Sequence, residues 1–299
     1  MSINGAFQRD YRRDYDLGDA ELNERWDELV AAMHAGCPIL HRVNATPRWP
    51  CHCALKPRRR ARTDRDTNTQ NARGARGTHV MHKVSIPDYA IQRGALIRPP
   101  LTLVAATTAV IAIDFQRFFI DAEQPMGNIH ARDILTQANR LHDAVRRAGG
   151  LVVFTQHSMG AVPSRDVSGE YPAPAAAPRA GQELLPGSAS YDLHPALARA
   201  ATDVSVVKYQ SSPLHPRAAT GLEELLRARS IDTLIVSGLV TNGCCDCTAR
   251  DAFQYGYKTI VASDATAAMS DDEHNAALLN LEIYYAYVAS CDTLIAALT

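Results

Sequence analysis

Five apolar runs recur through the later two-thirds of the chain: TAVIAID (108–114), LVVFTQ (151–156), VSVVKY (204–209), DTLIVSG (232–238) and KTIVASD (258–264). They are short, rich in β-branched residues and bounded by polar positions, as strands buried on both faces are. Between them, ARDILTQANRLHDAVRRAG, AATGLEELLRARS and DDEHNAALLNLEIYYAYVA repeat their apolar positions every three to four residues and predict helices. The first closes on Gly149 and Gly150, a common helix ending. Alternating strands and helices predict an α/β domain, doubly wound around a mainly parallel sheet with helices on both faces. Residues 160–190, with several Pro, Ala and Gly, form the one long irregular excursion, where a lid or substrate loop would arise.

The first 80 residues read differently. Residues 19–34, DAELNERWDELVAAMH, carry one short amphipathic helical pattern, whereas residues 56–76 hold eight Lys/Arg, two Asp and almost nothing to bury. We read 1–80 as a basic, largely disordered extension and 81–299 as the functional domain, with Met81 opening the new regime. Charge reinforces the division: 14 Lys/Arg against 10 Asp/Glu before residue 81, and 17 against 22 after it. The whole chain of 299 residues is nearly neutral, with 31 Lys/Arg and 32 Asp/Glu, which gives no electrostatic case for a nucleic-acid or membrane partner. The basic run lacks aromatics to stack on bases and reads as a solvated tail. No apolar stretch approaches the ~20 residues of a bilayer span, and the polar amino terminus is unlike a signal peptide, so a cytoplasmic protein is expected. Seven cysteines, three of them crowded at 244, 245 and 247, argue for reduced thiols rather than a disulfide framework.

Ligands of such sheets bind beyond the carboxyl ends of the strands, so the residues closing each run carry the candidate chemistry. These are Asp114, His157, Lys208, the segment Gly238 to Cys244, and Asp264. No glycine-rich phosphate loop follows the first run, where the text reads DFQRFF, and no cofactor is expected. The segment GLVTNGCCDCTARDA passes from a strand into a predicted helix capped by Thr241 or Asn242, which puts Cys244 in the first helical turn. A thiol there meets the positive end of the helix dipole and unpaired N–H groups, which favour a thiolate and can also receive an oxyanion.

Three elements in order, AVIAIDFQRFF with Asp114, Gln116 and Phe119, VVKYQSSPL with Lys208, and SGLVTNGCCDCTARDA with Cys244, resemble the isochorismatase-like cysteine hydrolases, which include nicotinamidases, N-carbamoylsarcosine amidases and ureidoacrylate amidohydrolases. The resemblance runs from about Thr107 to Leu298. It implies a six-stranded parallel sheet, a Cys244–Asp114–Lys208 triad, a non-proline cis peptide between Leu239 and Val240, and frequent homo-oligomers. In that reading Asp114 takes the thiol proton, Lys208 holds the charges, and the N–H groups of Val240 and Cys244 receive the oxyanion. The substrate would be a small-molecule amide or ureido compound cleaved at its C–N bond through a thioester. Gln116, Phe119, His157, Tyr209 and Asn242 are the candidate substrate-binding residues, with core packing the better reading for Phe119. Two alternatives stay open: isochorismatase-type vinyl-ether hydrolysis, against which Cys244 counts, and a binding protein on the same fold that has lost catalysis.

Nicotinamidases of this kind carry an Asp-x-His-x-x-His metal site after the second strand. This chain reads TQHSMGAVPSRD there, without the leading acid or the second histidine, so no metal is expected and nicotinamidase activity is disfavoured. Cys245 and Cys247 read as core residues, and Cys51, His52 and Cys53 lack a second ligand pair. Arg250 and Asp251 read as an ion pair or as helix-surface charges.

Overall fold

The computed structural model describes residues 81–124, 126–159, 184–218 and 220–298. The extension expected at 1–80, with its helix at 19–34, lies outside the described residues, as does 160–183 of the irregular excursion.

Six strands form one all-parallel sheet in the order β3-β2-β1-β4-β5-β6. They are β1 (Thr108–Ile113), β2 (Leu151–His157), β3 (Val204–Lys208), β4 (Thr233–Leu239), β5 (Lys258–Ala267) and β6 (Tyr287–Ala289). The five runs of the sequence account for β1 to β5. Central strands β1 and β4 are buried along their whole length, as their apolar continuity requires. β3 departs from that expectation. It is an edge strand that leaves Ser205 and Val207 exposed in alternation with its covered positions. β6 was hidden inside a segment expected to be one helix to residue 289. The helix there, Asp271–Asn280, instead passes through a π-type turn, 281–285, before the three-residue strand. Tyr287 and Val288 favour extended backbone, and three residues are too few for a period to show.

Helices cover both faces. Ile134–Arg147 and Cys291–Ala297 pack one side through Ile134, Leu141, Val145 and Leu294 against Val110, Phe154 and Ile235. Leu222–Ala228, Asp246–Gln254 and Asp271–Asn280 pack the other through Leu226, Ala249, Ala252 and Leu278 against Ile111, Val153 and Val236. Odd and even strand positions thus supply two cores, each burying side chains worth about 1.5–3 kcal/mol apiece when fully covered. The first helix turns off at Gly149, whose φ of 92° is open to glycine at little cost. Gly238 matters more: a Cβ there would lie 2.0 Å from the carbonyl oxygen of Ile113, so only glycine lets the ends of β4 and β1 approach this closely.

One buried polar residue links the faces to pH. His142, fully buried on the helix Ile134–Arg147, has Nε2 2.9 Å from Ser237 Oγ on β4, and its ring meets the edges of Phe115 and Phe154. Burial pushes this imidazole from 6.5 down to about 3, with Arg146 adding to the effect. A basic group with a depressed folded-state pKa favours the fold above 6.5, and its contribution is lost as pH falls toward 3. His142→Gln is therefore expected to flatten the acid limb of a stability-versus-pH curve by up to about 1.4 kcal/mol per pH unit. Denaturant titrations from pH 7 to 4 measure this, and parallel limbs for the two proteins would contradict it.

Candidate active site

β1, β2 and β3 end on the same edge as β4, and the sheet order places the switch of winding between β1 and β4. Asp114 follows β1 with φ at 50°, a left-handed conformation that Asp tolerates better than most residues. Thr155 on β2 holds it from two sides: the hydroxyl donates to Asp114 Oδ1 at 2.7 Å and accepts the Asp114 N–H at 3.1 Å. Lys208, the last residue of β3, reaches across β2 to Asp114 Oδ2 at 2.8 Å, and neither side chain is exposed at all. Its ammonium also lies 3.1 Å from His157 Nδ1, 3.1 Å from the carbonyl of Gln210 and 3.3 Å from Cys244 Sγ. An ammonium only donates, so Nδ1 of His157 accepts.

The structure therefore brings Cys244, Asp114 and Lys208 into mutual reach, with His157 beside them. The peptide between Leu239 and Val240 is cis. The local helix differs from expectation. Residues 241–245 form an irregular π-type turn, with Gly243 at φ −127° and ψ −108°, and the regular helix begins only at Asp246. Neither Thr241 nor Asn242 caps it. Cys244 thus precedes the helix instead of occupying its first turn, and the dipole acts on it more weakly.

The ionisation of the thiol is set by opposing influences. Burial pushes the Cys244 thiol up to about 12; Lys208 pulls it down, while Asp114 raises it again by charge and by accepting from the thiol. By surface area the residue is half-buried, although dense protein surrounds it. For Lys208, burial works against the ammonium, but Asp114 and Cys244 outweigh it and raise the pKa. A buried Lys208–Asp114 ion pair thus lies beside a thiol whose burial favours its protonated form.

The remaining sequence candidates separate. Gln116 is fully buried, and its amide is committed: Nε2 donates to the carbonyls of His157 at 3.1 Å and Tyr191 at 2.9 Å, and Oε1 accepts the His157 N–H at 2.7 Å. No N–H is left for a ligand, so Gln116 braces the loop ends. Phe119 packs against the core and on the edge of Phe118, as its bland reading had it. Tyr209 is half-buried next to Lys208, and Asn242 is exposed on the turn. Cys245 is core, and of the two readings of Arg250 and Asp251, an ion pair or helix-surface charges, the pair between them is not the one formed: Arg250 pairs with Asp246 at 2.7 Å and lies over the Tyr285 ring. Asp264 accepts the Cys291 N–H at 2.7 Å, away from the thiol. Thr155 was missed, although a hydroxyl closing an otherwise apolar run was a visible signal.

Two clusters of potential metal donors occur among the described residues. Asp114, His157 and Cys244 surround the Lys208 ammonium, which fills with positive charge the place a cation would take. His82, His130 and Asp271 place one donor atom each within 4.8 Å of one another. Ala268 N–H donates to His82 Nε2 at 3.1 Å, so the proton sits on Nδ1 and points at Asp271 Oδ1, 2.7 Å away. The rings of His82 and His130 lie 3.9 Å apart, tilted by 31°.

The fold is that of a doubly wound α/β protein with a cluster of polar side chains at its strand ends, and a family model described as an isochorismatase domain matches residues 108–293. The chain belongs to the isochorismatase family of hydrolases. It is 31% identical to nicotinamidase 3 of Arabidopsis thaliana, over 66% of this chain and 90% of that one. It is 30% identical to a ureidoacrylate amidohydrolase of Stutzerimonas stutzeri, over 70% of this chain and 89% of the other. A solved cysteine hydrolase from Pseudomonas syringae pv. phaseolicola superposes with a TM-score of 0.59 at 28% identity, covering 67% of this chain and 97% of that one. Among the described residues no helix is long and apolar enough to cross a membrane.

Thr155→Val tests the clamp on Asp114. It leaves a buried N–H without its acceptor and is expected to cost about 1–3 kcal/mol in denaturant unfolding. A loss under about 0.5 kcal/mol would show that the hydroxyl holds nothing.

Proposed function

We propose that this protein is a cysteine amidohydrolase that cleaves a linear amide or ureido C–N bond of a small molecule through a thioester on Cys244. The carrying observation is the fully buried Lys208 ammonium, 2.8 Å from Asp114 and 3.3 Å from Cys244. Burying such a charge is costly unless its partners repay it, and structures retain it where chemistry needs it. The family membership and the amide-cleaving names of the relatives support the same reaction class.

With the thiol held well above neutrality, its proton moves to Asp114 as the C–S bond forms and not before. Lys208 stabilises the sulfur's negative charge during that transfer and stays paired with Asp114. The substrate oxygen, now an oxyanion, is received by the N–H groups of Val240 and Cys244. Asp114 returns the proton to the departing nitrogen, so ammonia or an amine leaves and the acyl group remains on sulfur. Water then adds to the thioester with Asp114 again taking a proton, and the acid product departs as the thiol is restored. Gln116 contributes by fixing the His157 and Tyr191 backbones around the site, and His157 shares the ammonium.

Ammonia release should be measured across primary amides, carbamoyl amines and ureido acids. Turnover of at least one class is expected. Cys244→Ala and Asp114→Asn should each reduce it by about 10³-fold or more while the protein stays folded. A Cys244→Ala protein that still turns over the substrate would remove the mechanism.

A further inference from the structure

His274 lies outside the chemistry just described yet touches the turn that carries it. It is fully buried on the helix Asp271–Asn280, with Nε2 3.1 Å from the Ser263 carbonyl oxygen on β5. A carbonyl only accepts, so the imidazole proton sits on Nε2. Nδ1 is then a bare acceptor, and the Thr241 hydroxyl 2.8 Å away donates to it. Thr241 is itself fully buried and opens the turn 241–245. The His82 ring stacks on His274 at 4.2 Å with planes 8° apart, and His82 is in turn fixed by Asp271 and the Ala268 N–H.

The turn needs such a hold. Within it, the Val240 carbonyl accepts the N–H groups of Gly243 at 3.0 Å and Cys245 at 3.2 Å, but Gly243 departs from helical backbone and no regular ladder begins until Asp246. We propose that His274 is a positioning residue for the reaction at Cys244: its imidazole fixes the Thr241 hydroxyl and so holds Val240 and Cys244 in aim at the substrate oxygen. The proposal rests on the reading of Cys244 as nucleophile. Misplacing a reacting group by a fraction of an ångström lowers kcat while leaving binding of the rest of the substrate largely intact.

The test measures kcat and KM for the best amide found, in the full chain and in five variants. His274→Leu and Thr241→Val each remove the bond. Both are expected to lower kcat about 10- to 100-fold with KM changed by less than about threefold. His274→Gln keeps an acceptor and a donor, Thr241→Ser keeps the hydroxyl, and both should recover most of the rate. The double variant His274→Leu/Thr241→Val should be no slower than the worse single, because one interaction is lost either way. Unchanged kcat in a folded Thr241→Val, equal losses in Leu and Gln at 274, or multiplied losses in the double variant would overturn the proposal. The two failures are distinguishable. An active Cys244→Ala removes the underlying reading, whereas an inactive Cys244→Ala beside a fully active His274→Leu removes this proposal alone.

Discussion

A positive charge with no exposure to water organises this site. Taking an ammonium out of water costs several kcal/mol, and the cost is recovered only if acceptors surround it with good geometry. Lys208 finds them on four separate pieces of chain: the carboxylate after β1, the imidazole ending β2, a carbonyl just beyond β3 and the sulfur in the turn after β4. Each stands at a strand's carboxyl end, and the parallel sheet brings those ends to one edge. Gly238 then lets β4 close onto β1 and carry the sulfur within reach. The fold can be understood as the frame that this charge requires.

That commitment sets the chemistry. An ammonium paired first with Asp114 has less field to spare for the thiol, and burial tips Cys244 toward its neutral form. In the proposed reaction the sulfur is held beside its base and becomes nucleophilic as a carbonyl arrives.

Much of this was legible in the sequence, because apolar runs that stop on Asp114, Lys208 and the GLVT segment announce both strands and strand-end chemistry. What was not legible has physical causes. Gln116 follows Asp114 as a substrate residue would, but position along the chain does not say that its amide is consumed by the His157 and Tyr191 backbones. The turn 241–245 reads as the start of a helix because propensity cannot show that Thr241 gives its hydroxyl to a histidine 33 residues later. β6 is too short to carry a period. The balance at the thiol was hidden for a related reason: dipoles can be read from local sequence, whereas burial, which works against them, is a property of the assembled sheet.

The central claim concerns where the protons rest. Thiolate absorbance of the full chain, taken as the difference from Cys244→Ser across a pH series, reads the ionisation of this sulfur directly. The account predicts no Cys244 thiolate at neutral pH and ionisation only on the alkaline side, toward about 12. A Cys244 thiolate already formed at pH near 7 would contradict it.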